Sequence, residues 1–191
     1  MLVFTKKNCY ITVFILILLI FIILFLKKEV ILKKIYPIKY NEYIEKYAKE
    51  YEVDEMLIYA IIKAESNFKV ESISSSGAIG LMQLMENTAY EVAKKINNQE
   101  ISKEMLYEPE TNIKLGIFYF SELLNKYNEN IELALIAYNA GSGNLDKWIE
   151  SGIIKKDGTN IENIPYKETN IYVRKILRDY KIYTKLWKEK L

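Results

Sequence analysis

An uninterrupted run of 18 uncharged residues, CYITVFILILLIFIILFL, extends from Cys9 to Leu26. As a helix this run is about 27 Å long, close to the roughly 30 Å hydrocarbon core of a bilayer. A helix that is apolar on every face is either buried in a protein core or inserted in a membrane. Core helices rarely lack a polar face over such a length, so we predict a transmembrane helix over residues 9–26, after a short tail of residues 1–8.

A cleaved signal peptide is the main alternative for this run, because such peptides also have an apolar centre near the amino terminus. The residues that follow it read KKEVILKK and contain no small-residue cleavage site. We therefore predict an uncleaved signal anchor, followed by a short basic tether over residues 27–37. Lysines flank the run on both sides, so a count of positive charges does not determine the orientation of the anchor.

Two residue counts limit the chemistry that is open to this chain. It has no histidine, which excludes serine–histidine and cysteine–histidine catalysis and every histidine metal site. Its single cysteine, Cys9, cannot form an intrachain disulfide. The net charge of +2, with lysines and acidic residues interspersed, does not indicate nucleic-acid binding. We predict no metal and no cofactor.

Beyond the tether, apolar residues recur at three- and four-residue spacing, which is typical of amphipathic helices. Such stripes predict helices from about residue 40 to 51 and over residues 57–66, 88–96, 112–127, 131–140 and 169–188. Asp54 is predicted to cap the second of these helices. Residues 141–143 predict a flexible turn, and residues 153–161 a short β-hairpin. The sequence therefore predicts an all-α domain over residues 38–191, with six or seven helices.

Glu65 occupies a position where its helix is expected to be apolar. The stripe of i, i+3 and i+4 positions that leads to it consists of Leu57, Ile58, Ile61 and Ile62. A carboxylate at the next position of this stripe faces the interior or a cleft, and burial raises its pKa. A carboxylic acid that keeps its proton near neutral pH can act as a general acid. The alternative is an ordinary surface glutamate, with the stripe displaced by one position.

A turn of small residues follows this helix. Residues 72–76 lead into Gly77-Ala78-Ile79-Gly80, where a ligand or another backbone can approach closely. Residues 81–85, LMQLM, then form an apolar run that contains a single amide.

Several short segments occur in one order along the chain, and together they resemble a known family. The segments are Glu65-Ser66, Gly80-Leu81-Met82-Gln83, residues 106–124, Ala137-Tyr138-Asn139-Ala140-Gly141, residues 164–169 and Tyr172-Val173. In order and character they are similar to the motifs of the soluble lytic transglycosylase (SLT) family, lysozyme-like enzymes that cleave bacterial peptidoglycan. The resemblance covers about residues 40–187. It departs at Glu86, where the family often has proline.

The resemblance implies a role for four residues of the first two motifs. Glu65 would be the sole catalytic acid and base, and Ser66 would orient the substrate or the reaction centre through its hydroxyl. Met82 and Gln83 would line the sugar site. The methionine offers an apolar surface to an acetamido methyl group, and the glutamine offers a donor and an acceptor.

Three residues of the later motifs are also implied in the site. Tyr138 and Asn139 would contact the sugar and the glutamate, and Tyr172 would approach Glu65 from the last helix. These residues also have plainer alternatives. Tyr138 and Tyr172, like Met82, fit positions in a hydrophobic core, and Asn139 fits a helix terminus.

The resemblance implies a membrane-anchored lytic transglycosylase. It would cut the β-1,4 bond between N-acetylmuramic acid and N-acetylglucosamine, leaving 1,6-anhydro-muramyl ends. A goose-type lysozyme-like hydrolase and a non-catalytic glycan-binding scaffold of an envelope machine are the alternatives. The expected partners are peptidoglycan strands and the cell membrane. We expect a single-pass protein with its catalytic domain on the extracytoplasmic side, because the substrate lies there.

Overall fold

A computed structural model describes residues 6–97 and 100–188, and divides into one unit up to Pro37 and another from Ile38 onward. The first unit consists of α1 (Lys6–Leu26) and α2 (Lys28–Ile35). The large apolar side chains between Tyr10 and Ile23 are 45–75% exposed.

Within the residues described, no single helix is long and apolar enough to cross a membrane. One bent pair, Tyr10–Ile23 with Lys28–Ile35, meets that requirement by length and composition alone. The single transmembrane anchor over residues 9–26 therefore stays a prediction. The tether predicted over residues 27–37 is largely helical, because it contains α2.

Seven α-helices form the described part of the second unit, which confirms the mostly helical prediction. They are α3 (Asn41–Glu50), α4 (Glu55–Glu65), α5 (Glu86–Asn97), α6 (Pro109–Lys126), α7 (Ile131–Ala140), α8 (Ser142–Glu150) and α9 (Lys167–Tyr183). Short 3₁₀ helices span Glu104–Tyr107 and Ile161–Asn163, and a π-helical turn, Thr184–Lys188, follows α9.

The central element of this unit is α4. Every residue from Met56 to Ile62 is buried, and α4 packs against α3 and α9. A helix that is buried on all sides is typical of the centre of a helical domain. Asp54 caps it as predicted, since its side chain accepts a 2.8 Å hydrogen bond from the backbone N–H of Met56. The last residue of this well-packed helix is Glu65.

The prediction of a flexible turn over residues 141–143 is wrong, because α8 begins at Ser142. Gly141, with φ of 86°, ends α7, and α8 starts immediately after it. The side chain of Asn144 donates a 2.7 Å hydrogen bond to the carbonyl of Ala140, and α8 buries Leu145 and Trp148. Tertiary packing thus stabilises a helix over a segment whose Gly-Ser-Gly start is typical of loops.

The β-hairpin predicted over residues 153–161 is also wrong, since this segment consists of turns and a short 3₁₀ helix. Asn160 accepts from the backbone N–H of Lys155 at 2.7 Å and donates to the carbonyl of Ile153 at 3.0 Å. Asn130 donates to the carbonyl of Asp157 at 2.9 Å. Side-chain amides therefore take up backbone groups that a hairpin would pair with each other.

Candidate active site

Glu65 lies at the carboxyl end of α4, where the side of α9 reaches it. The hydroxyl of Tyr172 donates a 2.6 Å hydrogen bond to Oε1 of Glu65. Burial raises the pKa of Glu65 to about 7, while the Tyr172 hydrogen bond and the positive charge of Lys175 act in the opposite direction. Near neutral pH both protonation states of this carboxyl group are accessible, which is the property of a group that can both donate and accept a proton.

An ion pair fixes α9 against α4 close to Glu65. Nζ of Lys63 lies 2.9 Å from Oδ2 of Asp179, a side chain with no exposed surface. Burial of Asp179 opposes its charge, but hydrogen bonds from Lys63 and Arg178 outweigh burial and hold the pKa of Asp179 below its usual value. Removal of one partner from such a buried pair is strongly destabilising. The pair therefore helps to maintain the α4–α9 packing on which the Tyr172–Glu65 contact depends.

Ser66 connects the end of α4 to the loop over residues 72–85. Its buried hydroxyl donates a 2.8 Å hydrogen bond to the carbonyl of Leu81 and lies 3.2 Å from the carbonyl of Ile62. Because this hydroxyl has one proton to donate, the bond to Leu81 uses it within the protein. Of the two roles implied for Ser66, orienting the reaction centre fits this geometry better than binding the substrate.

The loop is also held by Asn112, a buried residue of α6 that was not predicted as part of the site. Its Oδ1 accepts from the N–H of Met82 at 2.8 Å, and its Nδ2 donates to the carbonyls of Ile79 and Leu106 at 3.0 and 2.8 Å. A Cβ on Gly80, whose φ is 83°, would collide with this amide. The sequence signal was an amide in a buried stripe, the same kind of signal that identified Glu65.

Met82 and Gln83 form the inner part of this loop. The Met82 side chain is fully buried against Gly116, where any larger residue would collide with its sulfur. Gln83, with φ of 49°, donates from Nε2 to the carbonyls of Ser72 and Gly80 at 3.0 and 2.9 Å. Both side chains therefore hold the loop in shape, and their contact with a sugar stays a prediction.

Tyr138 of α7 contacts the same loop residue as Asn112, Met82. Its hydroxyl donates a 2.8 Å hydrogen bond to the carbonyl of Met82, and its ring packs against Tyr119 and Phe120. Burial raises the pKa of Tyr138 well above its ordinary value, and the charge of Glu65 is the next cause. Tyr138 thus faces Glu65 and supports the loop at the same time.

Asn139 follows Tyr138 in the chain, near the end of α7. Its side chain is exposed, and its Oδ1 accepts a 2.8 Å hydrogen bond from the hydroxyl of Thr169. This bond ties the end of α7 to the first turn of α9. The structure therefore brings Tyr172 into contact with Glu65 and places Tyr138 within reach of its charge, while the contacts of Asn139 with the sugar and the glutamate stay predictions.

Two acidic side chains that follow Glu65 in the chain, Glu71 and Glu86, have environments different from that of Glu65. Glu71 is exposed, and Glu86 accepts a 2.6 Å hydrogen bond from Tyr90 and pairs with Lys103 at 3.7 Å. In the described ranges, the side chains that shift the pKa of Glu65 are Tyr172 and Lys175, and neither is acidic. The described residues also contain no group of three or more acidic or cysteine side chains that could hold a metal ion. Lys175, like Asn112, was not predicted from the sequence.

Comparison with known proteins gives a consistent result. Residues 42–160 match the family model of the transglycosylase SLT domain. The soluble lytic murein transglycosylase of Salmonella typhimurium is 32% identical over 148 residues, which are 76% of this chain and 23% of that protein. The membrane-bound lytic murein transglycosylase C of Yersinia pestis is 36% identical over 116 residues, 56% of this chain and 32% of that protein.

Solved structures show the same similarity. An inactive mutant of the lytic transglycosylase Slt from Pseudomonas aeruginosa superposes with a TM-score of 0.72 at 35% identity, covering 78% of this chain and 24% of that one. The 70 kDa soluble lytic transglycosylase in complex with bulgecin A superposes with a TM-score of 0.74 at 31% identity. The match covers 81% of this chain and 25% of that chain. This chain spans between about a quarter and a third of the length of these relatives.

Proposed function

Because this chain belongs to the transglycosylase SLT domain family, we propose that it is a lytic transglycosylase that acts on the glycan strands of peptidoglycan. The observation that carries this proposal is the environment of Glu65. A single carboxyl group with a pKa raised to about 7 is held by Tyr172, and no acidic side chain described here contributes to that shift. Most glycosidases instead place two carboxyl groups on either side of the bond that they cut.

In the first step, protonated Glu65 donates its proton to the oxygen of the β-1,4 bond between N-acetylmuramic acid and N-acetylglucosamine. The bond from the anomeric carbon to that oxygen breaks, and the N-acetylglucosamine side leaves as an alcohol. The acetamido oxygen of N-acetylmuramic acid stabilises the positive charge on the anomeric carbon. Glu65 is then a carboxylate, to which Tyr172 donates its hydrogen bond.

In the second step, the 6-hydroxyl of the same N-acetylmuramic acid attacks the anomeric carbon while Glu65 takes its proton. This closes the 1,6-anhydro ring, restores protonated Glu65 and consumes no water. Attack within one molecule is favoured by proximity, which contributes about 7–11 kcal/mol when the geometry is right. The inactive mutant of the Pseudomonas aeruginosa relative, in which glutamine replaces a glutamate, supports a role for an essential glutamate.

The proposal includes attachment to the cell membrane, with the second unit on the extracytoplasmic side, where peptidoglycan lies. The uncharged run of Cys9–Leu26 supports this, as do the exposed apolar side chains of α1. Such an extended apolar surface indicates contact with a membrane or a partner. One relative, the transglycosylase C of Yersinia pestis, is itself membrane-bound.

The decisive experiment is digestion of purified peptidoglycan by the full-length chain, in detergent and in ¹⁸O-labelled water, followed by mass spectrometry of the released muropeptides. The expected products are 1,6-anhydro-muramyl ends, lighter than reducing ends by one water and free of ¹⁸O. Stoichiometric ¹⁸O at the new ends would mean hydrolysis and would overturn the proposal. The Glu65→Gln variant, prepared in the same way, is the control for contaminating enzymes.

A further inference from the structure

Lys175 lies in a series of contacts that run along one face of α9. Positions 172, 175 and 179 are three and four residues apart and therefore share a face of the helix. The contacts meet the end of α4 in reverse order: Tyr172 to Glu65 at 2.6 Å, Lys175 to the carbonyl of Ala64 at 3.4 Å, and Asp179 to Lys63 at 2.9 Å. The two outer contacts thus fix the direction in which the Lys175 side chain extends.

The position of Lys175 matters because Glu65 is the last residue of α4. The last carbonyl groups of a helix have no partner within it, and their dipoles give that end a partial negative charge. Both this field and burial disfavour a carboxylate at Glu65. The ammonium group of Lys175 donates to the carbonyl of Ala64, within this negative end, and its charge acts on the carboxyl group of Glu65.

Within residues 6–97 and 100–188, the other side chains whose interaction with Glu65 is resolved are tyrosines, which carry no positive charge. Tyr172 approaches it from α9 and donates a hydrogen bond, and Tyr138 approaches it from α7. Among the side chains described, Lys175 is the cation whose charge favours ionised Glu65. We propose that Lys175 is a positioning residue that stabilises the carboxylate form of Glu65 between its two proton transfers.

This inference rests on the proposed function and extends it to the interval between the two steps. After the glycosidic oxygen has taken the proton, Glu65 must remain ionised until the 6-hydroxyl attacks. Lys175 lowers the free energy of that ionised state without taking part in bond making or breaking. An ammonium group at this place therefore accelerates the loss of the proton from Glu65, which is the event that forms the carboxylate base.

The first test is a titration that does not depend on activity. The full-length chain in detergent micelles is labelled with ¹³C-glutamate, and the Glu65 carboxyl resonance is identified by its loss in Glu65→Gln. In Lys175→Met the pKa of Glu65 should rise by about one unit, the lower end of the effect of a nearby opposite charge. In Lys175→Arg it should stay within a few tenths of the parent value. An unchanged pKa in Lys175→Met overturns the inference.

A matched control is Lys181→Met, which removes an exposed lysine from the last turn of the same helix. The pKa of Glu65 should not change in this variant, and an equal rise in both methionine variants would mean a general effect of net charge and would overturn the inference. Circular dichroism at pH 5 verifies folding. Lys175→Gln, which keeps a hydrogen-bond donor, replaces Lys175→Met if that variant does not fold.

The second test is kinetic. Lys175→Met should lower kcat by about three- to tenfold with KM within twofold of the parent, and should displace the alkaline limb of the kcat/KM profile upward by about one pH unit. Lys175→Arg should keep both the kcat and the alkaline limb of the kcat/KM profile of the parent. A change confined to KM overturns the inference. If the parent chain releases no product from peptidoglycan, the proposed function fails, whereas the titration still decides whether Lys175 stabilises ionised Glu65.

Discussion

The hydroxyl of Tyr172 donates a 2.6 Å hydrogen bond to Glu65 from a position 107 residues further along the chain. Hydrogen bonds to a carboxylate are shorter and stronger than neutral ones, and they fix the orientation of the acceptor. The α4–α9 packing therefore does more than bury apolar surface. It determines where the carboxyl group of Glu65 points and how readily it ionises.

Replacement of Glu65 by glutamine should abolish nearly all activity. Glutamine keeps the shape and a hydrogen-bonding group but has no proton to exchange, and general acid–base catalysis contributes about 10²–10⁴-fold. The loss of turbidity of a peptidoglycan suspension should slow by at least that factor. Glu71→Gln, which alters an exposed carboxylate nearby, should retain the parent rate. Near-normal activity of folded Glu65→Gln would exclude Glu65 as the acid.

The same substitution should stabilise the folded chain at alkaline pH. The pKa of Glu65 is raised from about 4.5 in the unfolded chain to about 7 in the folded one, so the folded state binds more protons between these values. The stability of the parent therefore falls as pH rises through this window. The stability gained by Glu65→Gln should be greatest above pH 7, on the order of 1–3 kcal/mol, and should be absent below pH 4.5. Urea unfolding at pH 4, 6 and 8 measures it, and a gain independent of pH would contradict this assignment.

Tyr172→Phe should raise the pKa of Glu65, because the hydrogen bond that favours ionised Glu65 is lost. A hydrogen bond to a charged group contributes about 1.5–3 kcal/mol. We expect at least a tenfold lower kcat and an upward displacement of the alkaline limb of the pH–rate profile. Tyr166→Phe, which alters an exposed tyrosine just before α9, is the control. An unaltered profile in Tyr172→Phe would show that the hydrogen bond does not tune the acid.

Asp179→Asn should destabilise the fold by about 3–5 kcal/mol, because it removes the fully buried carboxylate that pairs with Lys63 and Arg178. The pKa of Asp179 is held below its usual value, so its contribution is present above about pH 4 and is lost as pH falls through the folded pKa. Urea unfolding at neutral pH measures the change. Glu110→Gln, which breaks the exposed pair with Lys46, should change the stability little, because solvent screens such a pair. Equal effects of the two substitutions would contradict the role given to Asp179.

Residues 36–191 should form a soluble, helical and active domain without the amino-terminal helix. Every residue placed around Glu65 lies in the unit from Ile38 onward. Circular dichroism should show a helical spectrum with a cooperative thermal transition, and the turbidity assay should give activity close to that of the full-length chain. An unfolded product would place the domain boundary before residue 36.

Most helices of the second unit could be predicted from the sequence, since helical periodicity is a local property of neighbouring residues. Glu65 was found for the same reason, as a carboxylate within an apolar stripe. The start of α8 at Ser142 and the absence of a hairpin over residues 153–161 could not be predicted. There, contacts from other parts of the chain override the local preference for a turn, as in the bond from Asn130 to Asp157.

The sequence by itself thus determined the helical class, the buried acid and, through the ordered motifs, the family resemblance. Only the tertiary structure decided which side chains surround that acid. It placed Lys175 beside Glu65, made Asn112 the support of the loop, and directed the Met82 side chain and the Ser66 hydroxyl into the protein. The physical reason is that these contacts depend on the packing of α4, α6 and α9, which brings together residues far apart in the chain, whereas a sequence pattern reports only the face of its own helix.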